Sequence, residues 1–291
     1  MRLSRRLKGL TIGDYIIPLI LIIFAILIIL PVWYVVSVSL VPQHVYFQTR
    51  LLLYPTQPNL DNYRAIFSFN PIRTGFMNTL FVTVASTIFV MFLNVSFAYA
   101  MLKPIPGRRF FWVILMFTMF FSGGLLPWFL LMINLGMANN RLAMVLPHGI
   151  AIITVILMQS YMRNLSPEYE ESARLDGAGE IRLLWSIVLP LCKPMLATLS
   201  LFAAVGGWNR WFEGMLFMQR VELQPLQLVL RNLLDESSMA IVGLPAEARR
   251  TAFGMGIQMA AVVVTMVPIM CVYPFLQKYF VKGITLGGVK G

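Results

Sequence analysis

The chain has 291 residues, is 58% hydrophobic and only 12% charged, and its mean hydropathy is +0.77. That balance excludes an ordinary soluble domain and points to an all-α polytopic membrane protein. The net charge of +11 would suggest a nucleic-acid partner in a soluble protein; here basic loops on one side of a bilayer account for it, and no nucleic acid is expected.

In chain order, a basic start leads into a first expected span at about 16–40, rich in Ile and Leu, with Pro18 and Pro31. The apolar run is too long for a secretory leader and no small-x-small site follows it, so it reads as an uncleaved span. An outer segment follows, with Asn59-Leu60-Asp61-Asn62-Tyr63. The second span, 76–102, carries Asn78, Thr79, Thr83, Ser86, Thr87, Asn94 and Ser96. So many small polar groups suit helix packing or a water-lined path, and Asn78 and Asn94 are path candidates. A short basic turn, Lys103–Arg109, leads to the third span at 110–132. There Ser122-Gly123-Gly124 and Pro127 weaken the helix. A break at membrane depth must be buried or line a cavity. A packing kink and a substrate path remain equally open, with Ser122 and Gly123 as the path candidates.

The fourth span, 142–162, carries Pro147-His148 near its outer end. His148, like His44, reads as structural, since no second histidine or acidic cluster adjoins it. The fifth span, 194–218, contains Trp208-Asn209-Arg210-Trp211-Phe212-Glu213. At about 1.5 Å per residue, Arg210 lies about 24 Å along that helix, in the outer half of the bilayer. Charges there are costly and face a cavity or a partner. Arg210 and Glu213 are three apart and would share one helix face, where they could pair. Alternatively, with Trp208, Asn209 and Trp211 they line a substrate path: aromatic faces pack on sugar C–H surfaces, and amide and guanidinium groups bond hydroxyls or carboxylates. A surface helix at 223–234, a sixth span at 258–279 and a Gly-rich tail, Lys282–Gly291, complete the chain. Cys192 and Cys271 read as small apolar fillers, not a disulfide framework.

Six spans place both termini on one side. The segments 1–14, 103–109, 163–193 and 278–291 then hold 14 Lys/Arg in 66 residues, against 8 in 86 for the opposite segments, and every lysine lies in the first group. The positive-inside rule makes that side, and both termini, cytoplasmic.

Between the fourth and fifth spans lies a charged island, 164–193. Ser166-Pro167-Glu168 is a helix start, because serine can accept an orphan N–H bond and proline loses nothing at the first helical position. Glu168, Glu170 and Glu171 suit the positive end of the helix dipole. Gly177 suits a left-handed helix end. The pattern predicts a helix over 167–176, a turn, and a second helix over 180–189, with Pro190 and Pro194 marking the approach to the next span.

Within this island Glu171-Ser172-Ala173, then three residues, Gly177, then nine residues, Ile187, one residue and Leu189-Pro190 resemble the EAA motif of bacterial ABC importer membrane subunits. Ser172 for the middle alanine is the only departure. The likeness extends over nearly the whole chain: it is similar to carbohydrate importer permeases such as the shorter maltose-transporter subunit. The Asn59–Tyr63 segment, Trp208-Asn209 and the tail look closest to the oligosaccharide and alginate branch. The resemblance implies a type I permease architecture in the bacterial inner membrane. It implies a second homologous permease, two ATP-binding subunits using ATP and Mg, and an extracytoplasmic solute-binding protein, with no cofactor on this chain. It assigns the first short helix as the coupling helix. Glu170 or Glu171 would pair with a basic residue of the ATPase, Ala173 would allow close approach, Gly177 would make the turn, and Ser172, Asp176, Ile187, Leu189 and Pro190 would complete the contact. Arg210 departs from the branch's small or acidic residue and would mark an acidic sugar.

The chain has no Gly-x-x-x-x-Gly-Lys-Ser/Thr phosphate loop, so energy must come from a partner. An intramembrane enzyme would need a metal or nucleophile set such as His-Glu-x-x-His, which is absent from the sequence, so the chain is expected to be non-catalytic. An ion-coupled transporter would carry intramembrane carboxylates, and Glu213 beside Arg210 is a poor coupling group. An ABC permease for amino acids or peptides is the nearest alternative.

Overall fold

The computed structural model describes residues 13–49, 52–235 and 254–287. The basic start, the stretch 236–253 and the end of the tail lie outside the described residues. Among the described residues every regular element is helical. They fall into two compact units, one within Met1–Phe69 and Leu233–Val264, the other within Asn70–Asn232 and Thr265–Gly291.

In the first unit α1 (Gly13–Ser39) exposes its Ile, Leu and Phe side chains from Tyr15 to Leu30. Nothing among the described residues covers them, which suits lipid or a partner helix rather than water. Only its end joins a core, where Val38 packs with Val41, Leu52 and Val45 of α2 (Gln43–Gln48). In α3 (Asp61–Ser68), buried Asn62 donates to the Ser39 and Val41 carbonyls at 3.0 and 3.1 Å. The first of these bonds closes a carbonyl that the end of α1 leaves open. The lone His44 bonds Gln57 at 3.1 Å.

The second unit is built along α4 (Asn70–Ala100), whose 31 residues span about 46 Å, more than a bilayer core of about 30 Å. The third span is broken: α5 (Arg108–Phe120) and α6 (Leu125–Asn134) meet at 115°. Gly124, at φ +88° and ψ 166°, occupies a region open essentially to glycine alone. The fourth opens with 3₁₀ turns at Arg141–Met144 and Leu146–His148, then bends by 49° into α7 (Ile152–Arg163). Next come α8 (Pro167–Leu175), α9 (Glu180–Leu183), a π turn (Leu184–Val188) and α10 (Leu189–Leu191). Pro190 has no N–H for the Ser186 carbonyl, and its ring would crowd that carbonyl; a widened turn just ahead of it relieves both. The segment Glu180–Leu191 lies at 86° to α11 (Lys193–Trp208), outside that helix's direction.

Among the described residues three helices are long and apolar enough to cross a membrane, or up to six spans if each bent pair is one. Two expectations are corrected. The fifth span does not run to 218: α11 stops at Trp208, and α12 (Trp211–Phe217) starts anew. Asn209 closes the end by donating from its side chain to the Val205 carbonyl at 2.9 Å. The surface helix α13 spans Leu226–Asp235. The expected tail from Lys282 is helical as far as Gly287, because α14 (Gly254–Gly287) continues through it.

The second unit has two cores. One, at the end expected to be cytoplasmic, gathers Val95, Tyr99, Val155, Met158, Val188, Cys192 and Leu199. The other gathers Val82, Met132, Met144, Val145 and Phe217 at the opposite end. Cys192 is buried as a filler, while Cys271 is exposed.

Candidate functional site

Helix α8 begins at Ser166-Pro167, but the serine side chain makes no cap bond; its carbonyl accepts the Tyr169 N–H instead. The helix ends in a complete Schellman turn. Gly177 N–H donates to the Arg174 carbonyl and Ala178 N–H to the Ala173 carbonyl, both at 3.0 Å, with Gly177 at φ +80°. Ala173 alone on this helix is buried, facing the protein. Glu171, Ser172 and Asp176 are exposed, and Glu171 makes no hydrogen bond or ion pair among the described residues. Large apolar side chains stand out beside them: Leu175 is 89% and Ile181 79% exposed. Single exposed leucines mean little, but two such side chains beside a free carboxylate form a face suited to a protein partner.

Glu170 behaves differently from its neighbour. It pairs with Lys103 at 2.5 Å and approaches Arg174 at 4.0 Å. Arg174 also pairs with Glu180, and Lys103 reaches Glu180 at 3.6 Å. The Tyr99 hydroxyl donates to Glu180 at 2.6 Å and is the foremost influence holding that carboxyl below the ordinary carboxylate range; Arg174 and Lys103 act in the same direction, and desolvation opposes them. Beside α8 lies a cavity of about 310 Å³ lined by Lys103, Glu170, Glu171, Arg174, Ile187 and the core residue Val188. Ile187 therefore shares a cavity with α8, Leu189 packs on the core, and Pro190 is exposed.

The path candidates divide. Ser122, Gly123 and Glu213 come together around a cavity of about 590 Å³ with Gly124, Pro127, Trp128 and Phe212. The others make contacts within the chain. Asn78 donates to the Glu222 and Gln224 carbonyls at 2.7 and 3.0 Å. Asn94 donates to the Val90 and Gly149 carbonyls and accepts from Ala151 N–H at 2.8 Å, which braces the broken fourth span. Trp208 is buried, donates to the Thr265 carbonyl at 3.1 Å and meets Phe76 edge to face. Asn209 accepts from Gln227, and Trp211 lies under the Arg231 guanidinium.

The Arg210–Glu213 pair that the spacing allows does not form. With the helix interrupted, Arg210 sits ahead of α12 and donates to the Met144 carbonyl. Glu213 bonds His148 Nε2 at 2.9 Å instead. The two are 65 residues apart, and nothing local to either marks the contact. Asn139 also escaped the sequence reading. At φ 54° it accepts from the Gln219 and Arg220 N–H groups and donates to the Phe217 carbonyl, pinning the segment after α12. A non-glycine residue in that region is a position Asn tolerates. Among the described residues no cluster of metal-ligating side chains occurs.

Residues 105–286 match the family described as binding-protein-dependent transport system inner membrane component. The chain is 35% identical over 284 residues to the polygalacturonan/rhamnogalacturonan transport system permease protein YtcP of Bacillus subtilis (strain 168), covering 96% of this chain and 98% of that one. It is 29% identical to the arabinooligosaccharides transport system permease protein AraQ of Halalkalibacterium halodurans, over 83% of each chain. A solved chain from the crystal structure of a bacterial ABC transporter involved in the import of the acidic polysaccharide alginate superposes with a TM-score of 0.83 at 32% identity, covering 93% of this chain and 99% of that one.

Proposed function

The chain belongs to the binding-protein-dependent transport system inner membrane components, and from that premise we propose that it is the permease subunit of an ATP-driven importer of oligosaccharides, acidic ones among them. It works in the bacterial inner membrane beside a second homologous permease, two ATP-binding subunits that use ATP and Mg, and an extracytoplasmic solute-binding protein. The observation that carries the coupling part is α8, braced from behind while Glu171, Leu175 and Ile181 face outward. Similarity to sugar permeases along almost the full chain supports the substrate class. Movement of a bound ATPase is passed through residues 166–190, and Glu171, a carboxylate without a partner among the described residues, takes the basic residue of that subunit. Purification in mild detergent should bring down a second permease and a soluble ATPase; a chain that purifies alone and monodisperse would overturn the reading.

The cavity at the third-span break is part of the translocation path in this reading. Trp128 and Phe212 offer apolar walls, and Glu213 is the charge that lines it. A carboxylate there disfavours an acidic sugar relative to a neutral one. Glu213→Gln keeps an acceptor for His148 and removes the charge. Uptake of oligogalacturonides relative to neutral oligosaccharides should rise by about threefold or more. An unchanged ratio in competitive uptake removes Glu213 from the path.

The coupling network sets a pH expectation. Glu180 is held below its ordinary value, so its pairing is complete above about pH 4.3 and is lost only as pH falls further. ATP hydrolysis by the complex should show no step from this carboxylate between about pH 6 and 8; a step abolished by Glu180→Gln would contradict that.

A further inference from the structure

The cytoplasmic loop is tied to α4 by charge. Lys103 stands three residues past the end of α4, in the turn whose backbone is closed by Lys103 N–H to the Ala100 carbonyl and Ile105 N–H to the Lys103 carbonyl, at 3.1 and 2.9 Å. Its side chain is only 20% exposed. The ammonium touches both arms of the loop, Glu170 on α8 at 2.5 Å and Glu180 on α9 at 3.6 Å. It also lies 4.5 Å from the centre of the Tyr99 ring, whose hydroxyl bonds the same Glu180. Arg174 closes the ring between the two glutamates. An isolated exposed ion pair contributes little, but one ammonium held by two carboxylates and an aromatic face, largely out of water, is geometrically fixed.

We propose that Lys103 is a positioning residue that makes α8, α9 and the end of α4 move as one body, so that displacement of the coupling helix is delivered to α4. This rests on the importer reading above. Two features separate the role from docking. Lys103 is largely buried and lines the cavity beside α8. Glu170, half-buried, is the α8 carboxylate that Lys103 holds, whereas Glu171 is exposed and makes no ion pair among the described residues. Without Lys103 the two glutamates keep only Arg174 in common, and that side chain is itself half exposed. The loop could then follow the ATPase while α4 lags.

The test uses the complete transporter in nanodiscs, comparing wild type with Lys103→Met and Lys103→Arg, and the probe is ATP with binding protein loaded with oligogalacturonides. Lys103→Met should keep the ATPase bound in wild-type stoichiometry, while the stimulated-to-basal hydrolysis ratio falls about five- to tenfold, the order of an ordinary coupling between sites. Lys103→Arg should recover most of the ratio, since it restores a cation in reach of both carboxylates. Trypsin cleavage at Arg174 in the detergent-purified chain should also quicken in Lys103→Met. A wild-type ratio in Lys103→Met overturns the proposal, as does loss of the bound ATPase, which would place Lys103 at the docking face. A wild-type complex that binds no ATPase or shows no stimulation overturns the importer reading, and this inference with it.

Discussion

Gly207→Leu is expected to leave little folded protein in the membrane, while Gly206→Ala is close to neutral. The two glycines adjoin on α11 but face different surroundings. A Cβ built at Gly207 would stand 3.0 Å from the Thr83 Cα and 3.6 Å from the Ser86 Cβ, both on α4. The first of these is backbone and cannot rotate away. A Cβ at Gly206 meets nothing within 4 Å. The α4–α11 contact depends on that closeness, in the way small residues let membrane helices approach. Overpacking a tight contact costs about 1–3 kcal/mol, and leucine adds further carbons beyond the Cβ that already clashes. The strain would also reach Trp208, the next residue, which is fixed by its bond to the Thr265 carbonyl and its edge on Phe76. Membrane abundance and detergent melting temperature decide the matter. Equal values for Gly207→Leu and wild type would mean that α11 does not sit on α4 as described.

The contrast between these neighbours shows what could be read from the chain and what could not. Glycine and proline announce backbone departures, so the weak point at Ser122–Pro127 and the turn at Gly177 were visible without coordinates. The break at Asn209-Arg210 was not. Neither residue is a helix breaker, and apolar residues resume beyond it at Trp211 and Phe212. The consequence reached the site, because a continuous helix puts Arg210 and Glu213 on one face, whereas the interrupted chain gives Arg210 to the Met144 carbonyl and Glu213 to His148. Polar side chains in the second span were ambiguous for a different reason. Asn78 and Asn94 find backbone acceptors 144 and 55 residues away, contacts that periodicity cannot reveal. The motif spacing singled out the 166–190 loop but did not rank its two glutamates. Only the fold brings Lys103 to Glu170, 67 residues later, and leaves Glu171 outward.

Gly177→Val is expected to weaken coupling by about tenfold, and Gly177→Asn to preserve most of it. At φ +80° a β-branched side chain is a genuine outlier, while asparagine is among the residues that tolerate the left-handed region. Space is not the obstacle within this chain, since a Cβ at Gly177 has nothing within 4 Å. The penalty is backbone strain of about 1–2 kcal/mol, enough to shift a two-state balance by roughly 5- to 30-fold. What gives way is the pair of bonds that closes α8, from Gly177 N–H to Arg174 and from Ala178 N–H to Ala173. Their loss frees the last turn of α8, where Arg174 meets Glu180 and Leu175 faces outward. Uptake should therefore fall at least about tenfold in Gly177→Val with the chain still in the membrane, because the turn lies outside both cores of the second unit. The asparagine variant separates two roles for this glycine. If only the left-handed turn matters, Gly177→Asn keeps ATPase binding and stimulated hydrolysis; if the ATPase surface approaches the bare backbone, asparagine fails as fully as valine, and Gly177 acts by close approach.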